Sequence, residues 1–143
     1  MAFAMDEAAL QAFLEAEFPQ VREDFRVERL TEAGVVVRLR VAARHLRPGG
    51  TVSGPNLFAL ADVAVYLAIL ARIGPQALTV TTSAAIDFMR KPAAGVDLIG
   101  EARMLKLGRV LAVGDVLIRA EGAEAVCARA SVTYSIPPNR TAG

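Results

Sequence analysis

With 143 residues, 54% of them hydrophobic and 22% charged, the chain is one domain long and carries more apolar side chain than a small monomer readily hides. That excess predicts self-association into a homo-oligomer. A net charge of +1 gives no bulk attraction to nucleic acid or to an anionic membrane, so neither is an expected partner. A lone cysteine, Cys127, excludes an internal disulfide. A lone histidine, His45, excludes chemistry that needs two imidazoles, and no Cys/His cluster offers a zinc site.

The first ten residues hold Asp6 and Glu7 and lack a basic stretch followed by an apolar one, so no signal peptide is expected and a cytoplasmic location follows. Residues 6–18 have helical spacing, with Leu10, Phe13, Leu14 and Phe18 on one stripe, Asp6 as cap and Pro19 past the end. Residues 25–30 and 35–41 alternate as strands. The Glu32-Ala33-Gly34 turn between them predicts a hairpin.

A loop rich in Gly, Pro and Arg (43–54) leads into 55–72, where Asn56 and Asp62 are the only clearly polar residues before Arg72. Pro55 suits a first helical turn and Gly74-Pro75 a stop. A helix apolar on all sides is a buried helix. A membrane span is the competing reading, and the mid-helix aspartate and strand-rich flanks argue against it. Residues 78–90, 97–107, 109–121 and 125–136 read as four long strands of an antiparallel meander, with turn signals at 92–95, Gly108 and Gly122. No repeat or linker divides the chain. The expectation is a single α+β domain over 1–143 with a long central helix wrapped by a curved antiparallel sheet, the hotdog architecture. An extra helix within 1–20 precedes it, and a loose tail follows at 137–143.

Asp62 is the residue that needs an explanation. A carboxylate in an apolar helix must be paired, hydrogen-bonded or set at a cleft, so it is either a structural aspartate or a site residue. The run Gly49-Gly50-Thr51-Val52-Ser53-Gly54 enters the helix directly, where free N–H groups and a partial positive charge suit a developing oxyanion. Gly54 and Asp62 are eight residues apart, about 12 Å of helical rise, so one chain cannot aim both at a single carbonyl carbon. A two-fold dimer can, by setting the helix start of one subunit beside the mid-helix of the other.

The stretch 45–62, HLRPGGTVSGPNLFALAD, resembles the PaaI-type hotdog acyl-CoA thioesterases, which carry Asn-Pro, then Gly-Thr-Val-His-Gly-Gly, then an Ala-Leu-Ala-Asp helix. Ile86-Asp-Phe-Met-Arg90 with Pro92-Ala93 is similar to the family's Ile-Asn-Phe-Leu-Arg-Pro-Ala strand end. Lys106-Leu-Gly-Arg109 is similar to its Gly-Arg turn, and 128–134 to its last strand. The resemblance spans roughly 44–136. It implies that Asp62 is the catalytic carboxylate, that the Gly54 N–H faces the thioester oxygen, and that Thr81 positions the attacking water. It also implies a homodimer or a dimer-of-dimers tetramer with the site at the subunit interface, and no metal and no organic cofactor beyond the CoA of the substrate.

Three positions depart from the family pattern: Ser53 replaces its histidine, Pro55 its second glycine, and Arg47 the asparagine before proline, with Asn56 as a substitute amide one turn on. Ser53, Asn56, Arg47 and Tyr66 are candidate substrate contacts. So are Arg90, Lys91 and Arg109, whose guanidinium and ammonium groups suit CoA phosphates. The implied reaction is hydrolysis of an acyl-CoA thioester, with Asp62 as general base or nucleophile. The alternatives are a non-catalytic acyl-CoA-binding protein, an interaction subunit without ligand, and an acyl-CoA hydratase or dehydratase; for the last, His45 stands at the wrong spacing.

Overall fold

Local sequence sets each element of the computed structural model, which describes residues 2–138. Helix α1 (Glu7–Glu17) starts where the Asp6 carboxylate accepts the Ala9 N–H at 2.8 Å. It buries Leu10 and Leu14 completely. A single 3-10 turn at Pro19–Val21 leads to the predicted hairpin, β1 (Phe25–Leu30) against β2 (Gly34–Leu39), with Phe25 opposite Leu39 and Leu30 opposite Val35.

Helix α2 (Gly54–Ile73) takes Pro55 in its first turn and ends at Gly74, whose φ of 91° is open to glycine and strained for other residues. By length and composition it is able to cross a membrane, yet it lies inside the sheet, packed against β2, β4, β5 and β6. Leu60, Leu67, Ile69 and Leu70 are fully buried. Each such side chain stabilises the fold by about 1.5–3 kcal/mol. Two sheet glycines let this helix come close: a β-carbon on Gly100 would sit 3.1 Å from the Leu60 side chain, and one on Gly114 would sit 3.1 Å from both Val65 methyls.

The remaining strands are β3 (Val80–Phe88), β4 (Leu98–Leu107), β5 (Leu111–Ala120) and β6 (Val126–Ser135). All six form one antiparallel sheet in the order β1-β2-β4-β5-β6-β3. The hotdog architecture with its extra N-terminal helix is therefore as expected, but the four-strand meander is not. Only β4, β5 and β6 form one, and β3 leaves the expected place beside β4 to pair with β6. The turn-like segment 89–97 is long enough to pass over β6 and β5: three strand spacings need about 14 Å, and nine residues reach about 30 Å. The Met89 and Arg90 N–H groups both bond the Cys127 carbonyl and pin the segment's start to β6. Of the expected loose tail, residues 139–143 lie outside the described residues.

Candidate active site

Asp62 sits half-buried on α2 where β3 and β6 meet. Thr81 and Tyr134 are directly opposed in the β3–β6 ladder, so their side chains emerge side by side on the face that meets the helix. Both hydroxyls converge on one carboxylate oxygen: Thr81 Oγ1 donates to Asp62 Oδ1 at 2.6 Å and Tyr134 OH to the same atom at 2.9 Å. Tyr134 OH also lies 2.8 Å from the Asp62 main-chain carbonyl. No arginine pairs with Asp62 in any of these contacts. Oδ1 is thus held by two neutral donors, which fix its position without adding an opposing charge. Burial, and after it the Asp62 charge, pushes the Tyr134 phenol above its ordinary range, so it stays an O–H donor.

Tyr66, one helical turn on, is buried with its ring 5.9 Å from that of Tyr134 and its hydroxyl donated to the Ala77 carbonyl at 3.1 Å. It braces Tyr134 from within the core. Tyr134 itself escaped the sequence reading. The signal was present, an aromatic hydroxyl in phase with the buried Ala128, Ala130 and Val132, but only the true position of β3 gives it meaning.

A second cluster surrounds the start of α2. Asn56 Nδ2 donates to Ser53 Oγ at 2.7 Å and reaches the His45 carbonyl at 3.3 Å, while the Ser53 N–H donates to the same carbonyl at 2.9 Å. Because the carbonyl can only accept, the Asn56 atom facing it is the amide nitrogen, and Ser53 Oγ is an acceptor in that bond. The Ser53 proton is then available to another acceptor. The Gly54 N–H, first in the helix, has no intrahelical acceptor. Pro55 beside it has no N–H to offer. The ring of Phe88, at the end of β3, lies over this point: a β-carbon on Gly54 would be 3.3 Å from Phe88 Cζ.

His45 braces the loop. It is 2% exposed; its Nδ1 accepts the Ala42 N–H at 2.8 Å, so Nε2 carries the proton and meets Asp24 at 2.9 Å. Arg44 pairs with the same Asp24 oxygen. With both ring nitrogens engaged, His45 has none left for substrate.

The predicted site residues therefore fall into two groups at opposite ends of β3. Asp62, Thr81 and Tyr66 gather at its beginning; Gly54, Ser53 and Asn56 gather at its end. Arg90 and Lys91, both exposed, follow that end, and Arg90 Nε–H donates to the Val126 carbonyl at 3.2 Å. Arg109, exposed in the β4–β5 turn, belongs to the Asp62 end, because Leu111 and Val80 both oppose Ser135. Arg47 is exposed in a turn closed by the Gly50 N–H on its carbonyl. Within one chain the two groups do not meet. Two surface clefts, one lined by Arg22, Arg40 and Arg44 and one by Glu101, Arg103 and Arg129, include none of Asp62, Thr81 or Gly54. Among the described residues no group of three or more His, Cys, Asp or Glu side chains is placed to hold a metal ion.

The family model of the thioesterase superfamily matches residues 49–127, from the glycine loop through α2 into β6. A structure from Silicibacter sp. TM1040, provisionally named a thioesterase, is 56% identical over 96% of each chain with a TM-score of 0.90. The phenylacetic acid degradation protein PaaI from Thermus thermophilus, solved as a point mutant, is 31% identical over 83% of this chain and 99% of its own, with a TM-score of 0.71. A hypothetical thioesterase protein from Streptococcus pneumoniae TIGR4, solved with coenzyme A, shares the fold at 22% identity over 90% of this chain and 97% of its own, TM-score 0.74. No curated protein matches the chain. The family model, the identity to PaaI and the hotdog topology agree: the chain belongs to the thioesterase superfamily, on the PaaI-type branch suggested by its own glycine loop and helix.

Proposed function

We propose that the protein hydrolyses acyl-CoA thioesters at sites built across a two-fold dimer. The observation that carries this is the Asp62 carboxylate, held on one oxygen by the hydroxyls of Thr81 and Tyr134 with its other oxygen left for chemistry. The superfamily supports the reaction class, and the coenzyme A in the streptococcal relative supports a CoA-type ligand.

The position of β3 supports the dimer. It ends the sheet, and Val80 and Phe88 are each 54% exposed on it, an unpaired apolar edge that a second copy would cover. Antiparallel pairing of two β3 strands about a two-fold axis at Ala84 sets Thr81 beside Asp87 of the partner subunit. The Asp62 end of one chain then lies by the Gly54 end of the other, which joins the two groups that one chain keeps apart. The same operation brings Arg109 to the end where Arg90 and Lys91 of the partner subunit stand, a basic rim suited to CoA phosphates.

In this arrangement the thioester carbonyl accepts from the Gly54 N–H, with the Ser53 hydroxyl as a second donor in place of the proton Pro55 lacks. Asp62 of the partner subunit faces the carbonyl carbon. It either takes a proton from water, which adds to the carbon and expels CoA thiolate, or itself adds to the carbon and expels CoA thiolate, giving a mixed anhydride that water then cleaves to free acid and the regenerated carboxylate. Thr81 Oγ1, its proton on Asp62, retains lone pairs to accept from the incoming water.

The test is an acyl-CoA panel read by a thiol-reactive dye with Asp62→Asn. The amide oxygen still accepts from Thr81 and Tyr134, so the variant folds and dimerises while CoA release falls by about 10²–10⁴. A folded, dimeric Asp62→Asn protein with full turnover refutes the assignment, and tight acyl-CoA binding without release by the natural protein indicates a binding protein instead.

A further inference from the structure

Resting on that reading, we infer that Tyr134 is a positioning residue for Asp62, selecting which carboxylate oxygen reacts. Four observations support this. Its hydroxyl reaches Asp62 Oδ1 at 2.9 Å and the main-chain carbonyl of the same residue at 2.8 Å, so its single proton has two acceptors on the one residue. Thr81 donates to that same Oδ1, so Oδ1 is saturated and only Oδ2 is presented to substrate. The phenol is 3% exposed, so no water competes for it. Its ring is locked by Tyr66 at 5.9 Å and by a backbone register that opposes it to Thr81.

A carboxylate on a two-torsion side chain otherwise turns and offers either oxygen. With Tyr134 and Thr81 fixing one oxygen, the plane and the free lone pairs of the other are set before substrate arrives, which is the pre-organisation a base or nucleophile needs. The second acceptor gives Tyr134 a further property. Whenever Oδ1 loses charge, by protonation or as part of an anhydride, the phenol proton can rest on the Asp62 carbonyl, and it returns as the carboxylate is regenerated. The titratable groups facing this phenol are Asp62 and Tyr66, both on α2; β3 contributes the neutral Thr81 and β5 the neutral Ala112.

The experiment compares steady-state kinetics of Tyr134→Phe, Asp62→Asn and the natural protein, with melting temperatures. Phenylalanine keeps the ring against Tyr66 and removes only the O–H. Removing a hydrogen bond to a charged group predicts a fall in kcat of about ten- to a hundred-fold, with KM within about two-fold. An unchanged kcat for folded Tyr134→Phe, while Asp62→Asn is inactive, overturns the inference and leaves the Asp62 assignment intact; a fully active Asp62→Asn removes Asp62 as the reacting carboxylate and the inference with it, and no CoA release by the natural protein removes the hydrolase reading itself. Should the phenylalanine variant not fold, a fluorotyrosine introduced at position 134 serves. It keeps the ring and the O–H but makes the phenol a stronger donor to Asp62 Oδ1, and is expected to change kcat by about two-fold or more with KM held. An unchanged kcat in the folded fluorotyrosine protein overturns the inference.

Discussion

If each active site takes its carboxylate from one subunit and its helix-start amide from the other, two inactive variants should repair one another. Asp62→Asn removes the carboxylate and Gly54→Pro removes the amide. The proline is compatible with the local backbone: first-turn prolines are accepted, and Ser53 has the extended ψ of 155° that a residue before proline prefers. Its ring meets Phe88, whose Cζ lies 3.3 Å from the β-carbon position, but Phe88 is 54% exposed and free to yield. Alone, Gly54→Pro should lose about 10²–10³ in turnover. Mixed in equal amounts and allowed to exchange, half the dimers carry one subunit of each kind. One of their two sites then unites the intact Asp62 with the intact Gly54, while the other lacks both. The mixture should therefore recover about one-quarter of the natural rate per subunit. The assay is dye-detected CoA release, with differently tagged subunits to confirm exchange. Gly54→Ala, which adds the β-carbon and keeps the N–H, separates the steric effect from the missing donor. A mixture that demonstrably contains heterodimers yet stays at background refutes the shared site.

Two further outcomes follow from the geometry. Asn56→Leu removes the donor to Ser53 Oγ and to the His45 carbonyl, and should lower kcat/KM about ten-fold with a small change in melting temperature; unchanged kcat/KM in the same assay rejects a role for the Ser53 hydroxyl. The Tyr134 phenol titrates above its ordinary range when folded, so its contribution is complete below the unfolded phenol's pKa of about 10. As pH rises beyond that the unfolded chain loses the proton first, and stability should fall by about 1.4 kcal/mol per pH unit. Urea unfolding between pH 9 and 11 should show that part of the slope missing in Tyr134→Phe.

Much of the architecture was legible because α2 is so uniformly apolar that its burial, and the oddity of Asp62 within it, follow from composition alone. The strand ends were marked by glycine and proline chemistry that acts locally. The position of β3 was not legible: a nine-residue connection looks the same whether it folds back or crosses two strands, since edge placement is decided by long-range pairing. That one misplacement also concealed Tyr134. Beside β4, Thr81 would never meet the last strand, and nothing in β6 would distinguish its inward tyrosine from its inward alanines. The split of the candidate site into two ends was legible, because helical rise fixes the Gly54–Asp62 separation wherever the sheet lies.

The glycines at positions 100 and 114 also bear on where a fatty or aryl tail can go. By bringing the helix down onto the middle of the sheet, they set Leu60 and Val65 directly against the strand backbone there. If the proposed shared site holds, an acyl tail entering beside Asp62 would run away from that contact, toward the outermost strand and the neighbouring subunit. The length and shape of acceptable substrates would then be set by the seam between chains, and exchanging residues there is the way to retune them without disturbing the reacting carboxylate.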